Sequence, residues 1–306
     1  MYHLPVLLHP VLDALVCSPE GIYVDATFGG GGHAEGILQK LEGKGRLYAF
    51  DQDADAERNA AHPPFAENAH FTFIRSNFRH LKNQLRAEGV RPGTVAGILA
   101  DLGVSSYQLD TAERGFSYRF EAPLDMRMNH SDQKTAADIL NTCSAEQLQD
   151  ILSRFGELRN ARTLAQALVR RRDQLPFRST GDLLEIARQH LAGDRMRYLS
   201  QVFQALRMEV NDELGALEDF LKAALEMLAP GGRLCVITFH SLEDRMVKHF
   251  MKTGNVEGVP ETDFYGNKSH FFTILSKKPI EADATEQQQN PRARSAKLRV
   301  AARALF

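Results

Sequence analysis

Tryptophan is absent from the 306-residue chain and cysteine nearly so, with Cys17, Cys143 and Cys235 alone. Three thiols, odd in number and far apart, exclude a disulfide framework and a cysteine-ligated zinc site. They fit a reducing compartment, and the expected location is the cytoplasm. No apolar run approaches the ~18 residues of a membrane span, so no membrane partner is expected. Met1 to Leu15 is apolar but lacks a basic leading segment and a small-residue cleavage site, and so does not read as a signal peptide. A strong net charge is also missing: the balance is −2, which on average argues against a polyanionic partner. That average hides an asymmetry. Residues 151–207 hold eleven Arg, no Lys and five acids, a local excess of six that leaves the remainder at −8. Asn290 to Phe306 adds Arg292, Arg294, Lys297, Arg299 and Arg303 with no acid. Basic regions inside a mildly acidic chain suggest a local polyanion surface; the alternative is a solvated helix face.

What is present in abundance, in one place, is glycine. Ile22-Tyr23-Val24 reads as a strand, Gly29 to Gly32 as a turn, and Ala34 to Leu41 as a helix. A strand–glycine turn–helix unit lets backbone N–H groups approach a ligand closely. Eighteen residues past His33 a second short strand, Arg46 to Phe50, ends in Asp51. An acid at that strand tip accepts hydrogen bonds from a ribose. Glycine clusters are often plain turns, but the strand, helix and acid around this one point to a nucleoside-containing cofactor. The glycines do not separate NAD from S-adenosylmethionine.

Further along, strands at 70–74 and 95–100 alternate with helices, the pattern of a parallel sheet covered on both faces. The alternation breaks at 103–135, which holds no clear element, and residues from there to about Arg207 are helical. Ser144 to Gln147 is a capping-box signature, Asn160 is a candidate cap for Ala161 to Arg172, and Ser179 or Thr180 for the next helix. Strand–helix alternation resumes with a helix over 213–228, stopped by Pro230-Gly231-Gly232 before strand 233–239. Two final strands, 271–276 and 296–301, flank a polar Gln-rich loop and suit an antiparallel pair. The expected organisation is an α/β domain from 1–111 and 208–306, with an all-helical insertion, 112–207, whose arginines suit a polyanion such as RNA. Seven strands with one reversed near the edge, and a Pro-Gly-Gly turn before the fifth, look like a class I S-adenosylmethionine-dependent methyltransferase, a Rossmann-like seven-stranded sheet, rather than a dehydrogenase.

Several blocks then carry a resemblance. They include His3-x-Pro5-Val6-Leu7-Leu8, Val24-Asp25-Ala26-Thr27-Phe28-Gly29, Asp101-Leu102-Gly103-Val104-Ser105-Ser106 and Arg114-Gly115-Phe116-Ser117. Pro123-Leu124-Asp125-Met126-Arg127-Met128, Phe239-His240-Ser241-Leu242-Glu243-Asp244-Arg245 and Asn290-Pro291-Arg292-Ala293-Arg294-Ser295 continue the series. The whole chain resembles the bacterial RsmH (MraW) family, the 16S rRNA cytosine-N4 methyltransferases. Small departures are His9 where an acid is usual, Leu158 within a charged run, and Asn129 in place of an Asp. The resemblance implies an S-adenosylmethionine site built from Gly31, Gly32, His33, Asp51, Phe78, Asp101 and Gln108. The substrate it implies is a cytidine in the decoding region (P site) of 16S rRNA, on the small ribosomal subunit.

DNA amino-methyltransferases place an Asn- or Ser-Pro-Pro-aromatic turn after the fourth strand. This chain has Asp101-Leu102-Gly103-Val104 there, so the hydrogen-bond acceptor for the amine must be supplied differently. Asp101 is the first candidate; Asp110, Asp125 and His240 follow, and His240 has the plain alternative of capping the next helix. His33, His240, Glu243 and Asp244 follow no metal-ligand spacing and the transfer needs no metal, so none is expected. Two rivals stand beside this reading: a dinucleotide-dependent oxidoreductase, and a catalytically silent RNA-binding ribosome-assembly factor on the same fold. The oligomeric state, a homodimer included, is left open.

Overall fold

The computed structural model describes residues 5–260 and 270–305, so His3 and Phe306 lie outside the described residues. Two compact units form, Met1–Gly103 with Leu214–Phe306, and Val104–Glu213. The second unit begins before residue 112 and ends after residue 207, the expected limits. Its start follows the end of the fourth strand at Asp101 and Gly103, whose φ of 91° turns the chain.

The chain opens with α1 (Leu8–Leu15), β1 (Ile22–Asp25), α2 (Gly32–Leu41), β2 (Arg46–Asp51), α3 (Ala54–Ala60), β3 (Phe71–Arg75), α4 (Leu81–Ala87) and β4 (Val95–Asp101). In the second unit follow α5 (Ser106–Asp110), α6 (Ala136–Thr142), α7 (Ala145–Arg154), α8 (Ala161–Arg172), α9 (Thr180–Gln189) and α10 (Arg195–Val210). The return comprises α11 (Glu213–Met227), β5 (Leu228–Thr238), α12 (Ser241–Thr253), β6 (Phe272–Ile274), α13 (Ala284–Gln289) and β7 (Lys297–Arg303). No helix of the described residues is long and apolar enough to cross a membrane.

Among the described residues one seven-stranded sheet forms, in the order β3-β2-β1-β4-β5-β7-β6. Strands β1 to β5 are parallel, and β7 alone is reversed, pairing antiparallel with both β5 and β6. This is the class I methyltransferase sheet. The strands are apolar on both sides because both faces are covered. Successive residues alternate between two cores: Tyr23, Leu47 and Leu99 face Val11, Leu15 and Ile37 of α1 and α2. Val24, Tyr48 and Ile98 face Leu85, Phe220 and Phe250 of α4, α11 and α12. Each such side chain contributes roughly 1.5–3 kcal/mol on burial. The Pro230-Gly231-Gly232 segment is carried inside β5 as an irregularity, with Val95 opposite Leu228 and Gly97 opposite Arg233, rather than lying before the strand.

The second unit is helical, with one isolated bridge, Pro123 to Ser179, among its described residues. Reciprocal capping boxes start four of its helices: Ser105 with Gln108, Thr135 with Asp138, Ser144 with Gln147, and Ser179 with Asp182. Each cap is worth about 1 kcal/mol. Asn160 stands at the start of α8 but makes no side-chain cap there. Its amide donates instead to His190 O (2.7 Å) and Tyr198 Oη (3.1 Å). The stretch 103–135, expected to hold no element, contains α5 and a 3-10 turn at Ala112–Arg114, and the Gln-rich loop contains α13.

Candidate active site

The carboxyl ends of β1, β2 and β4 bring together three acids and the glycine loop. Ala26 N donates to Leu99 O (2.8 Å), extending the β1–β4 pairing one residue past the strand. Thr27 then fastens the loop to β4, its Oγ1 accepting from Asp101 N at 2.7 Å. Phe28 enters an aromatic cluster: Phe65 lies 4.9 Å away edge-on, Phe73 5.4 Å and Phe71 5.7 Å. Such pairs add about 0.5–1.5 kcal/mol each beyond burial and hold the loop from below.

The glycines divide by what surrounds them. Gly31 has φ 82°, and a Cβ there would meet the Phe65 ring at 2.6 Å and Phe28 at 3.0 Å; at Gly32 it would meet Pro5 at 3.0 Å. Their missing side chains therefore make room for the protein's own rings. Gly29 (φ 52°) is the open position, with nothing nearer than Thr27 O at 3.9 Å. Gly31 caps α2 without a side-chain acceptor.

Asp51 ends β2 and accepts Gly29 N at 2.8 Å on one oxygen and Asp53 N at 2.9 Å on the other. Burial pushes its pKa up to about 6, against those two hydrogen bonds. Asp25, 1% exposed, accepts Thr27 N on Oδ1 (3.1 Å), while its buried Oδ2 has no hydrogen-bond partner. Burial raises it to about 6, opposed by His33 and by the Thr27 hydrogen bond and reinforced by the neighbouring charges of Asp101 and Asp51. Asp101, at the tip of β4, also carries a buried oxygen without a partner, Oδ1. A quarter of its side chain is open to solvent. Burial pushes it up to about 7, opposed by Arg292 and reinforced by Glu243.

His33, in the first turn of α2, is buried with Nε2 2.9 Å from Val6 O. A carbonyl only accepts, so Nε2 carries the proton and Nδ1 presents a lone pair, 3.9 Å from Asp101 Oδ2. Burial lowers its pKa, opposed by Asp25 and by the Val6 hydrogen bond, and so disfavours the charged ring. Phe78 opens a 3-10 turn after β3 and packs edge-on against Phe220 at 5.3 Å.

His240 is the N-cap of α12: its Nδ1 accepts weakly from Glu243 N (3.5 Å), and Nε2 lies 3.0 Å from Glu243 Oε1. The capping role weighed for it is thus present. Glu243 is buried and also accepts from Phe239 N at 3.0 Å.

Gln108, Asp110 and Asp125 belong to the second unit. The Gln108 side chain accepts from Ser105 N (3.0 Å) in the α5 capping box. Asp110 pairs with Arg119 at 3.2 Å on the surface. Asp125 holds Arg127 in a fork, 2.8 and 2.7 Å. Burial raises its pKa, but the Arg127 hydrogen bonds outweigh this and leave it below the usual carboxylate range. An acid so committed is a poor proton acceptor, so the geometry gives Asp125 a structural part.

Sequence reasoning weighed Glu243 only as a metal ligand, read Gly29 only as part of the turn, and gave Asp25 no role. Asp25 sat in plain view at the end of the first strand; its unpartnered oxygen depends on tertiary burial and left no mark in the chain. All three cysteines are free, and burial pushes Cys235 up to about 12, an inert thiol.

A model of the MraW methylase family matches residues 1–304. Proteins named ribosomal RNA small subunit methyltransferase H are similar along the whole length. One from Bacteroides thetaiotaomicron is 54% identical over 301 residues, covering 98% of this chain and 97% of its own. Another, from Cytophaga hutchinsonii, is 52% identical over 304 residues, covering 99% and 100%. A third, from Flavobacterium johnsoniae, is 49% identical over 301 residues, covering 98% and 97%.

Proposed function

The chain belongs to the MraW methylase family, and from that premise we propose that it methylates the N4 amine of a cytidine in the decoding region of 16S rRNA. The family and the seven-stranded sheet make it an S-adenosylmethionine-dependent methyltransferase. Small-subunit rRNA as substrate is carried over from relatives of matching length. The choice of N4, of the P site and of a cytoplasmic location is this reading's own.

The observation that carries it is the pair of buried acceptors without partners, Asp25 Oδ2 and Asp101 Oδ1. Leaving ionised oxygens buried and unpaired costs several kcal/mol, which a cationic ligand offsets. S-adenosylmethionine fits, with an ammonium and a sulfonium, and when bound it supplies an electrophilic methyl group. NAD, with a pyrophosphate, would bring negative charge to a cluster of three acids, which disfavours the oxidoreductase reading.

Asp25 is suited to the ammonium. Asp51 accepts backbone N–H groups on both oxygens and keeps lone pairs for ribose hydroxyls. The first N–H groups of α2, at Gly32 and His33, suit the cofactor carboxylate. Phe78 is offered to the adenine, and Gln108 is retained as a contact on the resemblance alone. Cytosine N4 is a weak nucleophile because its lone pair is delocalised into the ring. An acceptor that takes hydrogen bonds from the amine as it pyramidalises helps the attack. Asp101, with a pKa near 7, is poised to accept the proton at neutral pH. Asp110, Asp125 and His240 rank behind it because each already serves an ion pair or a cap.

A silent assembly factor would carry the same fold, but the unpartnered acids cost it stability to no purpose. The test is transfer of an isotope-labelled methyl group from S-adenosylmethionine to isolated small subunits, followed by nucleoside analysis. N4-methylcytidine is expected; no incorporation with a well-folded protein favours the silent factor.

A further inference from the structure

Resting on the assignment of Asp101 above, we infer that Arg292 is a positioning residue that holds Asp101 as a carboxylate, not a ligand for RNA phosphate. Strand pairing sets the end of β4 and the Arg292 guanidinium beside the same ring, that of Phe239. Asp101 lies opposite Ile237 of β5, and Leu102 N donates to Ile237 O at 3.0 Å. The first residue past β5, Phe239, therefore runs beside Gly103, where a Cβ would lie 3.7 Å from its ring. The guanidinium carbon of Arg292 sits 5.8 Å from the centroid of that same ring.

The backbone of Arg292 is fixed independently. It belongs to the 3-10 turn Pro291–Ser295 that leads into β7, with Asn290 Oδ1 accepting from Arg292 N at 3.2 Å. Strand β7 is in turn paired along β5. The guanidinium is thus presented at the ends of β4 and β5 by two elements of the sheet. The Phe239 ring lies within cation–π reach of the guanidinium.

Among the described residues, the charged and titratable groups around Asp101 are Asp25 from β1, His33 from α2, Glu243 from α12 and Arg292. Two are acids and burial disfavours the charged form of His33, so Arg292 supplies the permanent positive charge of the set. It opposes burial and Glu243, both of which favour the protonated acid. A protonated Asp101 cannot take a proton from the attacking amine.

Two other basic residues of this segment, Arg299 and Arg303, also look inward, whereas Arg294 is exposed. Arg299 grips Asp244 with two bonds, 2.6 and 2.9 Å, and Arg303 donates to the carbonyls of Glu226 and Leu228. The expectation that the tail from Arg292 to Arg303 is a phosphate-binding run is therefore replaced for these residues by internal pairing.

The experiment measures methyl transfer to isolated small subunits across the acid and neutral range for wild type, Arg292→Gln and Arg292→Lys. Cofactor affinity against pH by calorimetry, and subunit affinity against salt, are read in parallel. Arg292→Gln should move the acid limb of both pH profiles upward by roughly one unit and leave the salt dependence unchanged. Arg292→Lys, which keeps the charge, should stay near the wild-type limb and guards against a merely structural loss. An unmoved acid limb in Arg292→Gln, with weaker and less salt-sensitive subunit binding, makes Arg292 a phosphate ligand and overturns the inference. Full turnover by Asp101→Asn would instead strike the assignment of Asp101 itself. A dead Asp101→Asn with an unmoved Arg292→Gln limb removes the Arg292 inference alone.

Discussion

At the scale of single residues, the three strand-tip acids set how the molecule responds to pH. Asp25 and Asp51 are raised to about 6 and Asp101 to about 7, each from 3.8 and each chiefly by burial. Between about pH 4 and 7 the folded, ligand-free protein therefore binds more protons than the unfolded chain, and its stability falls as pH rises through that window. A cationic cofactor favours the ionised acids, so its binding releases protons and its affinity climbs with pH until above about 7. Calorimetry in buffers of different ionisation enthalpy checks both; affinity that is flat or falling with pH would remove the cationic-ligand argument. Asp25→Asn makes the trade visible in one protein. It should raise the melting temperature of the ligand-free form at neutral pH while weakening S-adenosylmethionine by about ten- to a hundredfold, the loss of one charge-assisted hydrogen bond of roughly 1.5–3 kcal/mol. The same loss is expected at the ribose for Asp51→Ala, read with the melting temperature because Gly29 N and Asp53 N lose their acceptor too. Gly31→Val acts differently. Its side chain would run into Phe65 at a left-handed φ, so the damage of order 1–3 kcal/mol falls on stability as well as binding. A normal melt with lost binding would return Gly31 to the ligand.

At the scale of elements, the arginines of 151–207 separate by direction. Arg171 pairs with Asp182 and donates to Leu175 O, and Arg172 donates to the carbonyls of Leu140 (2.9 Å) and Cys143 (2.5 Å). These two fasten α8 to its neighbours. Arg162, Gln166 and Arg170 are exposed four residues apart, and so line one stripe of α8. Replacing Arg162 and Arg170 by Ala should weaken small-subunit binding and flatten its salt dependence by about 0.7–0.9 log units per log salt for each phosphate no longer neutralised. Arg172→Ala should instead lower the denaturation midpoint, by roughly 1–3 kcal/mol for carbonyls left unpaired. An unchanged salt slope in the double variant leaves the stripe as a solvated face. The same contrast explains what could be read from the chain. Strands buried on both faces, the Ser144–Gln147 cap and the reversed strand near the edge are local or periodic, and each was legible in the sequence. Helix α5 is too short for its periodicity to show, and Asn160 finds partners remote in sequence. An arginine's count is visible in a sequence, but the carbonyl it reaches is not. The unpartnered oxygen of Asp25 depends on what residues remote in sequence leave uncovered, and the order of residues along the chain does not show that.

At the scale of the whole molecule, a cofactor-binding sheet and a helical unit with outward arginines suit an enzyme whose substrate is a large folded RNA. A base within such an RNA must leave its stack before a carboxylate at a strand tip can reach its amine, at a cost of a few kcal/mol. That cost is lowest where the base is already unpaired, as in a loop that receives other RNAs, which favours the decoding region over a continuous helix. N4 is favoured over a ring carbon because carbon methylation of cytosine needs a nucleophile to add to the ring. Of the three thiols, Cys143 and Cys235 are buried and Cys17 is exposed at the far side of β1 from the strand tips, next to Arg233. Asp101→Asn should keep its melting curve near wild type and lose most turnover, since a neutral amide accepts a proton from the attacking amine poorly. Mass spectrometry of small-subunit rRNA nucleosides, from cells with and without the gene, then decides the product. Loss of N4-methylcytidine, restored by the wild-type gene and not by Asp101→Asn, is the expected outcome. A deletion that keeps N4-methylcytidine, or loses a ring-carbon methyl instead, would refute both the assigned atom and the role of Asp101.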